Sequence, residues 1–398
     1  MNSRPVILGG DPILSRIVPL TRPHIPAAEP IMKAFRKSLK SGILTKGDEL
    51  RHFERELQSY LSADYVTAVS SCTTGLMLSL QALGLSGEVI MPSFTFSATA
   101  ASIVWNGLTP VLVDCDPDTF NIDVEAARRA ITPKTSAIVA VHVFGNPAPI
   151  EELEWLAAEH GLALVFDAAH GFGTLYQDRT LGSNGDVEVF SCSPTKLLAA
   201  GEGGVVATRR ADIAEMISTG REYGNPGNYD TLFAGMNGRM SEFHAAIGRE
   251  SLKTLEWNAQ KRNDVANHYK KRLQSLPGLS FQKVDKGNRC SYKDFGMVVN
   301  ADEFGMSRTE LAAALAPEGV NTRAYYDPPV HMQGAYSAFR RPSLDLSVTD
   351  RLAGSIICLP MSSDMTKTTV SMICDCIFRI HAWSDAIHSH FRGKKQAA

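Results

Sequence analysis

Short apolar runs alternate with segments of helical periodicity through the first two-thirds of the chain. Val66–Val69, Glu88–Met91 and Pro110–Val113 are short β-rich runs. Ala137–Val143 and Leu162–Phe166 are continuous apolar runs, the pattern of strands buried on both faces. Thr73–Leu83 reads as a helix after the first run, and Glu151–His160 as the crossover between the last two. This rhythm predicts an α/β fold: an open, mostly parallel sheet with helices on both faces. Upstream, residues 48–62 carry Phe53, Leu57 and Leu61 at helical spacing. Residues 1–30 read as an arm, because Pro19, Pro23, Pro26 and Pro30 interrupt any long helix. Ser241–Leu255 reads as a helix that continues towards a charged segment around Lys261, Arg262, Lys270 and Lys271. The βα rhythm then stops. Pro277-Gly278 marks a turn, and Met297–Val299 with the helical Arg308–Leu315 predicts a smaller α+β unit. The division falls near residue 256, giving an arm and large domain over 1–255 and a small C-terminal domain over 256–398.

Composition narrows the class. The chain has 398 residues, more than one core usually supports. Hydrophobic residues make up 44% and charged residues 21%, the balance of a globular protein. A formal net charge of −2 gives nucleic-acid binding no electrostatic support, yet leaves room for a local anion site. No stretch has the length of an uncharged membrane span, and the opening apolar run is too short for a signal peptide, so a cytoplasmic location is expected. The seven cysteines are odd in number and scattered, which fits reduced, buried thiols better than a disulfide framework or a metal site.

Three segments carry candidate chemistry. Ser71-Cys72-Thr73-Thr74-Gly75 opens a helix after a strand, where free N–H groups and the positive dipole end favour an anion such as phosphate; alone it equally reads as an ordinary cap. Asp167 follows the run Leu164-Val165-Phe166, at the strand end where open α/β sheets bind ligands; alone it equally reads as a helix cap or a metal ligand. Lys196, in Phe190-Ser191-Cys192-Ser193-Pro194-Thr195-Lys196, precedes Leu197-Leu198-Ala199-Ala200. Apolar company disfavours its charge, and a lowered amine pKa suits covalent chemistry on a carbonyl; a lysine that lays its stem along apolar surface is the even alternative. A helix-start phosphate site, a strand-end carboxylate and a lysine, in that order within one α/β domain, are the parts that pyridoxal 5'-phosphate (PLP) requires.

With those residues the chain resembles the DegT/StrS-type PLP-dependent nucleotide-sugar aminotransferases, from Val18-Pro19-Leu20-Thr21-Arg22-Pro23 to Leu359-Pro360-Met361. The most specific stretches are Asp167–Gly173, Phe190–Gly204 and Gly235–Ala246. The resemblance implies the aspartate-aminotransferase fold: a large domain with a seven-stranded-type sheet sandwiched by helices, and a smaller α+β domain. It implies that Lys196 anchors the cofactor covalently and carries the proton, and that Asp167 pairs with the pyridine nitrogen. His170 contacts the ring's 3-hydroxyl oxygen and Phe96 stacks on the ring. Cys72 and Thr73 offer N–H groups to the phosphate, and Ser191 a hydroxyl. Asn237 reaches the phosphate of the neighbouring subunit, so a homodimer with shared sites is implied. Arg22, Tyr326 and His331 are substrate candidates; Arg239 reads as structural, and so does His142 as an isolated residue.

The implied reaction moves an amino group from L-glutamate, through pyridoxamine 5'-phosphate (PMP), to a nucleotide-linked keto-deoxysugar. The expected acceptor is dTDP-4-keto-6-deoxy-D-glucose, giving the 4-amino-4,6-dideoxy sugar for antibiotic glycosides or surface polysaccharides. The alternatives are a 3-keto sugar aminotransferase and, in a different class, a non-catalytic regulator on this fold. Related sugar dehydratases carry His where this chain has Lys196. Departures from the family pattern are Cys72 in place of the commonest Gly, Gly75 in place of Ala, which should weaken the helix start by up to about 1 kcal/mol, and Gly238 in place of a larger residue, which should enlarge the site.

Overall fold

The computed structural model describes residues 3–396. Its large sheet is built from β1 (Tyr65–Val69), β2 (Glu88–Pro92), β3 (Thr109–Val113), β4 (Thr135–Val141) and β5 (Ala163–Ala168), followed, after a short hairpin of β6 (Leu175–Tyr176) and β7 (Arg179–Thr180), by β8 (Val187–Ser191) and β9 (Gly204–Thr208). The strand order is β1-β9-β8-β5-β4-β2-β3. The β2–β3, β2–β4, β4–β5 and β5–β8 pairs are parallel, and β9 runs against both its neighbours. The mostly parallel sheet expected from the sequence is therefore present, with one reversed strand. That reversal has a covalent cause: residues 192–203 between β8 and β9 form a loop instead of the crossover that parallel neighbours need. Lys196 sits on this loop. Pro110 falls in β3, an edge strand, where a missing N–H is tolerated.

Helices α1 (Ala28–Ser41), α2 (Asp48–Leu61), α3 (Cys72–Ala82), α4 (Ser97–Trp105), α5 (Val124–Ala130), α6 (Ile150–His160), α7 (Ala211–Gly220), α8 (Glu242–Leu252) and α9 (Leu255–Leu273) belong to the same stretch of chain. Helix α1 begins inside the expected arm. Pro30 is its third residue, where an N–H has no intrahelical acceptor and the ring does no harm. The helix read over 241–255 ends at Leu252, and a separate α9 starts at Leu255.

After α9 the chain forms a three-stranded antiparallel sheet of β10 (Leu279–Phe281), β11 (Phe295–Val299) and β12 (Ile356–Leu359). Around it lie α10 (Ala301–Phe304), α11 (Arg308–Leu315), α12 (Ser347–Ser355), α13 (Lys367–Ala382) and α14 (Ser384–Gln396).

Alternation along the strands divides the core. On β5, Leu164 and Phe166 join Phe53, Leu57 and Phe190 on one side of the large sheet, while Val165 joins Leu76, Val89, Val139 and Val206 on the other. A further core surrounds the small sheet, where Tyr269, Phe295, Ile373 and Ile377 pack with Leu14 and Val18 from the N-terminal segment. Val18 also bridges Val320, and the amide of Met361 donates to the Leu20 carbonyl at 2.8 Å. All seven cysteines are free. Among the described residues, no helix is long and apolar enough to cross a membrane.

Gly75 corrects an expectation. It is not a weak point of α3 but its contact with the sheet: a Cβ there would lie 2.7 Å from Val189 Cγ1 and 3.0 Å from Val206 Cγ2. Overpacking should outweigh the gain in helix propensity. Gly75→Ala is expected to lose about 1–3 kcal/mol of stability, read by chemical denaturation; a stabilised variant would contradict this packing.

Candidate active site

The carboxyl ends of β5 and β8 and the start of α3 open into a cavity of about 320 Å³. Cys72, Thr73, Phe96, Asp167, His170, Ser191, Lys196 and Tyr326 all line it. Eight residues singled out from the sequence thus meet in one place, although they come from five separate segments.

At one side of the cavity is the α3 start. Ser71 caps the helix, its Oγ accepting from the Thr74 amide at 3.0 Å. Cys72 and Thr73, as the first helical residues, turn their N–H groups outward with no intrahelical acceptor. β9 seats this turn closely. A Cβ on Gly204 would stand 2.4 Å from the Ser71 carbonyl carbon and 2.5 Å from the Cys72 nitrogen, so only glycine fits. Ser191 and Ser193 line the same side.

Asp167 is 4% exposed. Its Oδ2 accepts from Thr99 Oγ1 at 2.7 Å and its Oδ1 from the Ala169 amide at 3.1 Å. Burial pushes its carboxyl up, while these two donors and the nearby Lys196 hold it down. Thr99, on α4, was not found in the sequence: a threonine in an apolar helix carries no signal of its own.

Lys196 lies in a tight turn, its amide donating to the Ser193 carbonyl at 3.0 Å. Burial brings its amine down to about 8, and Lys293 adds to the fall; Asp294, Cys72 and Asp167 oppose it. The lowered amine expected from the apolar neighbours is present. His170 is held well below the usual imidazole range by burial and then by Lys196 and Lys293, so its ring is neutral. Its Nδ1 is buried without a hydrogen-bond partner. Phe96, the residue before α4, is 61% exposed on the cavity.

Lys293, Asp294, Tyr325 and Tyr326 also line the cavity. The first three were not foreseen from the sequence. Their only signal was a Lys-Asp pair placed directly before the apolar run of β11.

Three candidates lie elsewhere. His331 is buried with Nδ1 2.8 Å from Ser93 Oγ and Nε2 2.8 Å from Asp350 Oδ1. Both nitrogens are engaged, and it ties the end of β2 to α12 instead of lining the cavity. Arg22 is exposed and does not line it either. Asn237 is exposed, on a segment bridged to Glu222. Arg239 is ion-paired with Glu222 at 3.1 Å. Gly238 does not enlarge the cavity: a Cβ there would point to Thr74 Cγ2 at 3.0 Å and the Arg221 Cα at 3.2 Å. His142 is wholly buried, accepting from the Ala148 amide at 2.9 Å and stacked on Phe166.

Such a site on such a sheet places the protein among the PLP-dependent aminotransferases. Residues 27–378 match the DegT/DnrJ/EryC1/StrS aminotransferase family, and the chain belongs to it. It is 31% identical to the dTDP-4-amino-4,6-dideoxy-D-glucose transaminase of Escherichia coli, over 90% of this chain and 97% of that one. It is 33% identical to the dTDP-3-amino-3,6-dideoxy-alpha-D-galactopyranose transaminase of Aneurinibacillus thermoaerophilus, over 88% and 94%. The structure of DesI in the presence of its TDP-sugar product superposes with a TM-score of 0.91 at 33% identity, over 97% of this chain and 98% of that one.

The residues fit PLP. The buried Asp167 carboxylate lacks a cationic partner at hydrogen-bond distance, which a protonated ring nitrogen supplies. The outward N–H groups of α3 suit an anion, and His170, whose buried Nδ1 has no hydrogen-bond partner, lines the same cavity.

Proposed function

We propose that this protein moves an amino group from L-glutamate to a nucleotide-linked keto-deoxysugar, with dTDP-4-keto-6-deoxy-D-glucose as the acceptor and the 4-amino-4,6-dideoxy sugar as the product. The reading rests above all on Lys196 and Asp167 facing one cavity over the α3 start. PLP, when bound, supplies the electron sink that lets a carbon next to the amine lose its proton. Asp167 takes the ring nitrogen, and Thr99 fixes the carboxylate that does so. Cys72 and Thr73 N–H groups and the Ser191 hydroxyl take the phosphate, Phe96 covers the ring face, and His170 faces the 3-oxygen. Lys196 Nζ would anchor the cofactor, and the freed amine would take up and return the proton at the carbon that bears the transferred nitrogen, in one direction with the donor and in the other with the acceptor. Tyr326, which lines the cavity, would contact the substrate.

The test is direct. Purified protein loaded with PLP loses its visible absorbance on adding L-glutamate and regains it with the keto-sugar, and NMR of the product finds nitrogen at C4. Failure of every amino acid to change the spectrum would sink this reading. A C3 product would favour the second reading, which the 33% identity to a 3-amino-sugar transaminase supports.

The depressed Lys196 amine carries a pH prediction for the cofactor-free protein. Attack on PLP needs the neutral amine, and with its pKa near 8 that form grows as pH rises. Covalent PLP uptake, followed by stopped-flow absorbance, is therefore expected to accelerate up to about pH 8 and then level off. A profile still rising to the ordinary lysine range would contradict the burial of Lys196.

We further propose a homodimer in which Asn237 serves the neighbouring site. Met32 and Leu39 expose 45% and 64% of their surface at a seven-residue spacing on α1, followed by the exposed Ile43 and Leu44. A second copy would cover this apolar face. A monomer by analytical ultracentrifugation would remove the proposal. The division into units at 1–255 and 256–398 is also our reading, supported by the separate core around the small sheet, although Leu14 and Val18 of the N-terminal segment pack into that core.

A further inference from the structure

Lys293 and Asp294 form the most buried charged pair facing the cavity. Their side chains are 7% and 5% exposed, and Lys293 Nζ lies 2.9 and 3.0 Å from the two Asp294 oxygens. They stand immediately before β11 and line the same cavity as Lys196. Beyond their opposed influence on the Lys196 amine, the aminotransferase chemistry derived above gives them no part. Burying two charges is costly unless their hydrogen-bonding capacity is used.

That capacity is not exhausted by the pair. An ammonium has three N–H donors, of which the carboxylate engages two, and each carboxylate oxygen keeps a free lone pair. The pair thus presents a donor beside acceptors, with no net charge. Charge decides which substrate it suits. A carboxylate of the amino donor, or a diphosphate, would meet an ammonium that Asp294 already neutralises and would be repelled by Asp294 itself. A neutral hydroxyl both donates and accepts, and gains from each partner without repulsion. The side chains of Tyr325 and Tyr326 continue the same wall and give such a ring an aromatic flank.

We propose that Lys293 and Asp294 form the acceptor-specificity element of the site, binding a hydroxyl of the uncharged sugar ring and having no part in donor recognition. This rests on the keto-sugar reading above. The two half-reactions separate the claims. Wild-type protein is loaded with PLP and mixed first with L-glutamate, then with dTDP-4-keto-6-deoxy-D-glucose, and each absorbance change is followed by stopped flow. Asp294→Asn keeps the shape and removes the charge. The double variant K293M/D294L removes both charges together, so neither is left buried and unpaired.

In K293M/D294L, which removes both opposed influences on the Lys196 amine, the glutamate half-reaction should stay within about threefold of wild type; in both variants the apparent affinity for the keto-sugar falls about ten- to hundredfold, the worth of a hydrogen bond to a charged group. Calorimetry should show dTDP alone binding as before and dTDP-linked amino sugar binding more weakly. An unchanged keto-sugar affinity overturns the proposal, and so does an equal loss in both half-reactions, which would assign the pair to Lys196 or to the donor. If wild type itself ignores glutamate, it is the parent reading that has failed.

Discussion

Lys196→Ala should reduce turnover by about 10³-fold or more, because one side chain is asked for both covalent anchoring and proton transfer. The variant should still bind PLP, since Asp167, His170 and the α3 start remain, but borohydride should no longer fix the cofactor to the protein. Mass spectrometry after borohydride treatment reads this directly. Free methylamine, which can replace a missing amine as a base, should restore part of the rate. Retention of borohydride-fixed cofactor at another lysine would move the anchor away from 196; Lys293 is the residue to examine, as it lines the same cavity.

Asp167→Asn is the second large effect. The variant keeps the size of the side chain and can keep an oxygen for Thr99, but it removes the charge that holds the ring nitrogen protonated. A loss of about 10²–10³-fold in turnover is expected, the scale for removing one preorganised electrostatic partner. Stability should move the other way. The folded-state pKa of Asp167 is raised by burial, so its charge costs stability above that pKa, and the cost fades as pH falls through it towards the ordinary carboxylate range. Cofactor-free Asp167→Asn should therefore melt higher than wild type at pH 7, and this advantage should shrink in acid. A variant that is both inactive and less stable would mean that Asp167 serves the fold instead.

Much of the site was legible because backbone geometry and chemistry coincide there. Asp167 ends an unbroken apolar strand, Lys196 stands between a polar turn and an apolar stretch, and Ser71 announces a helix start. Periodicity located the central strands β4 and β5 because both their faces are buried. It passed over β8 and β9: β8 is five residues long and carries the buried Glu188, and β9 opens on Gly204. The residues missed at the site are those that only tertiary structure brings near. Nothing in the spacing ties Thr99 to Asp167, or Lys293 to Lys196. His331 shows the converse. As a histidine it invited a chemical role, but Ser93 and Asp350 occupy both its nitrogens. Gly75 was misjudged because helix propensity ignores what the helix packs against.

The N-terminal segment has a consequence for how the protein is made. Leu14 and Val18 bury themselves among residues from Val265 to Ile387, and Arg379 donates to the Asp11 carbonyl at 2.9 Å. On the ribosome, residues 11–20 emerge early and their partners last. The seven strands of the large sheet can collapse while this segment still waits, unsheltered, for the small sheet to appear. Lys293, Asp294 and the two tyrosines arrive in the same late stretch. The residues proposed to hold the cofactor phosphate are thus translated well before those proposed to select the sugar.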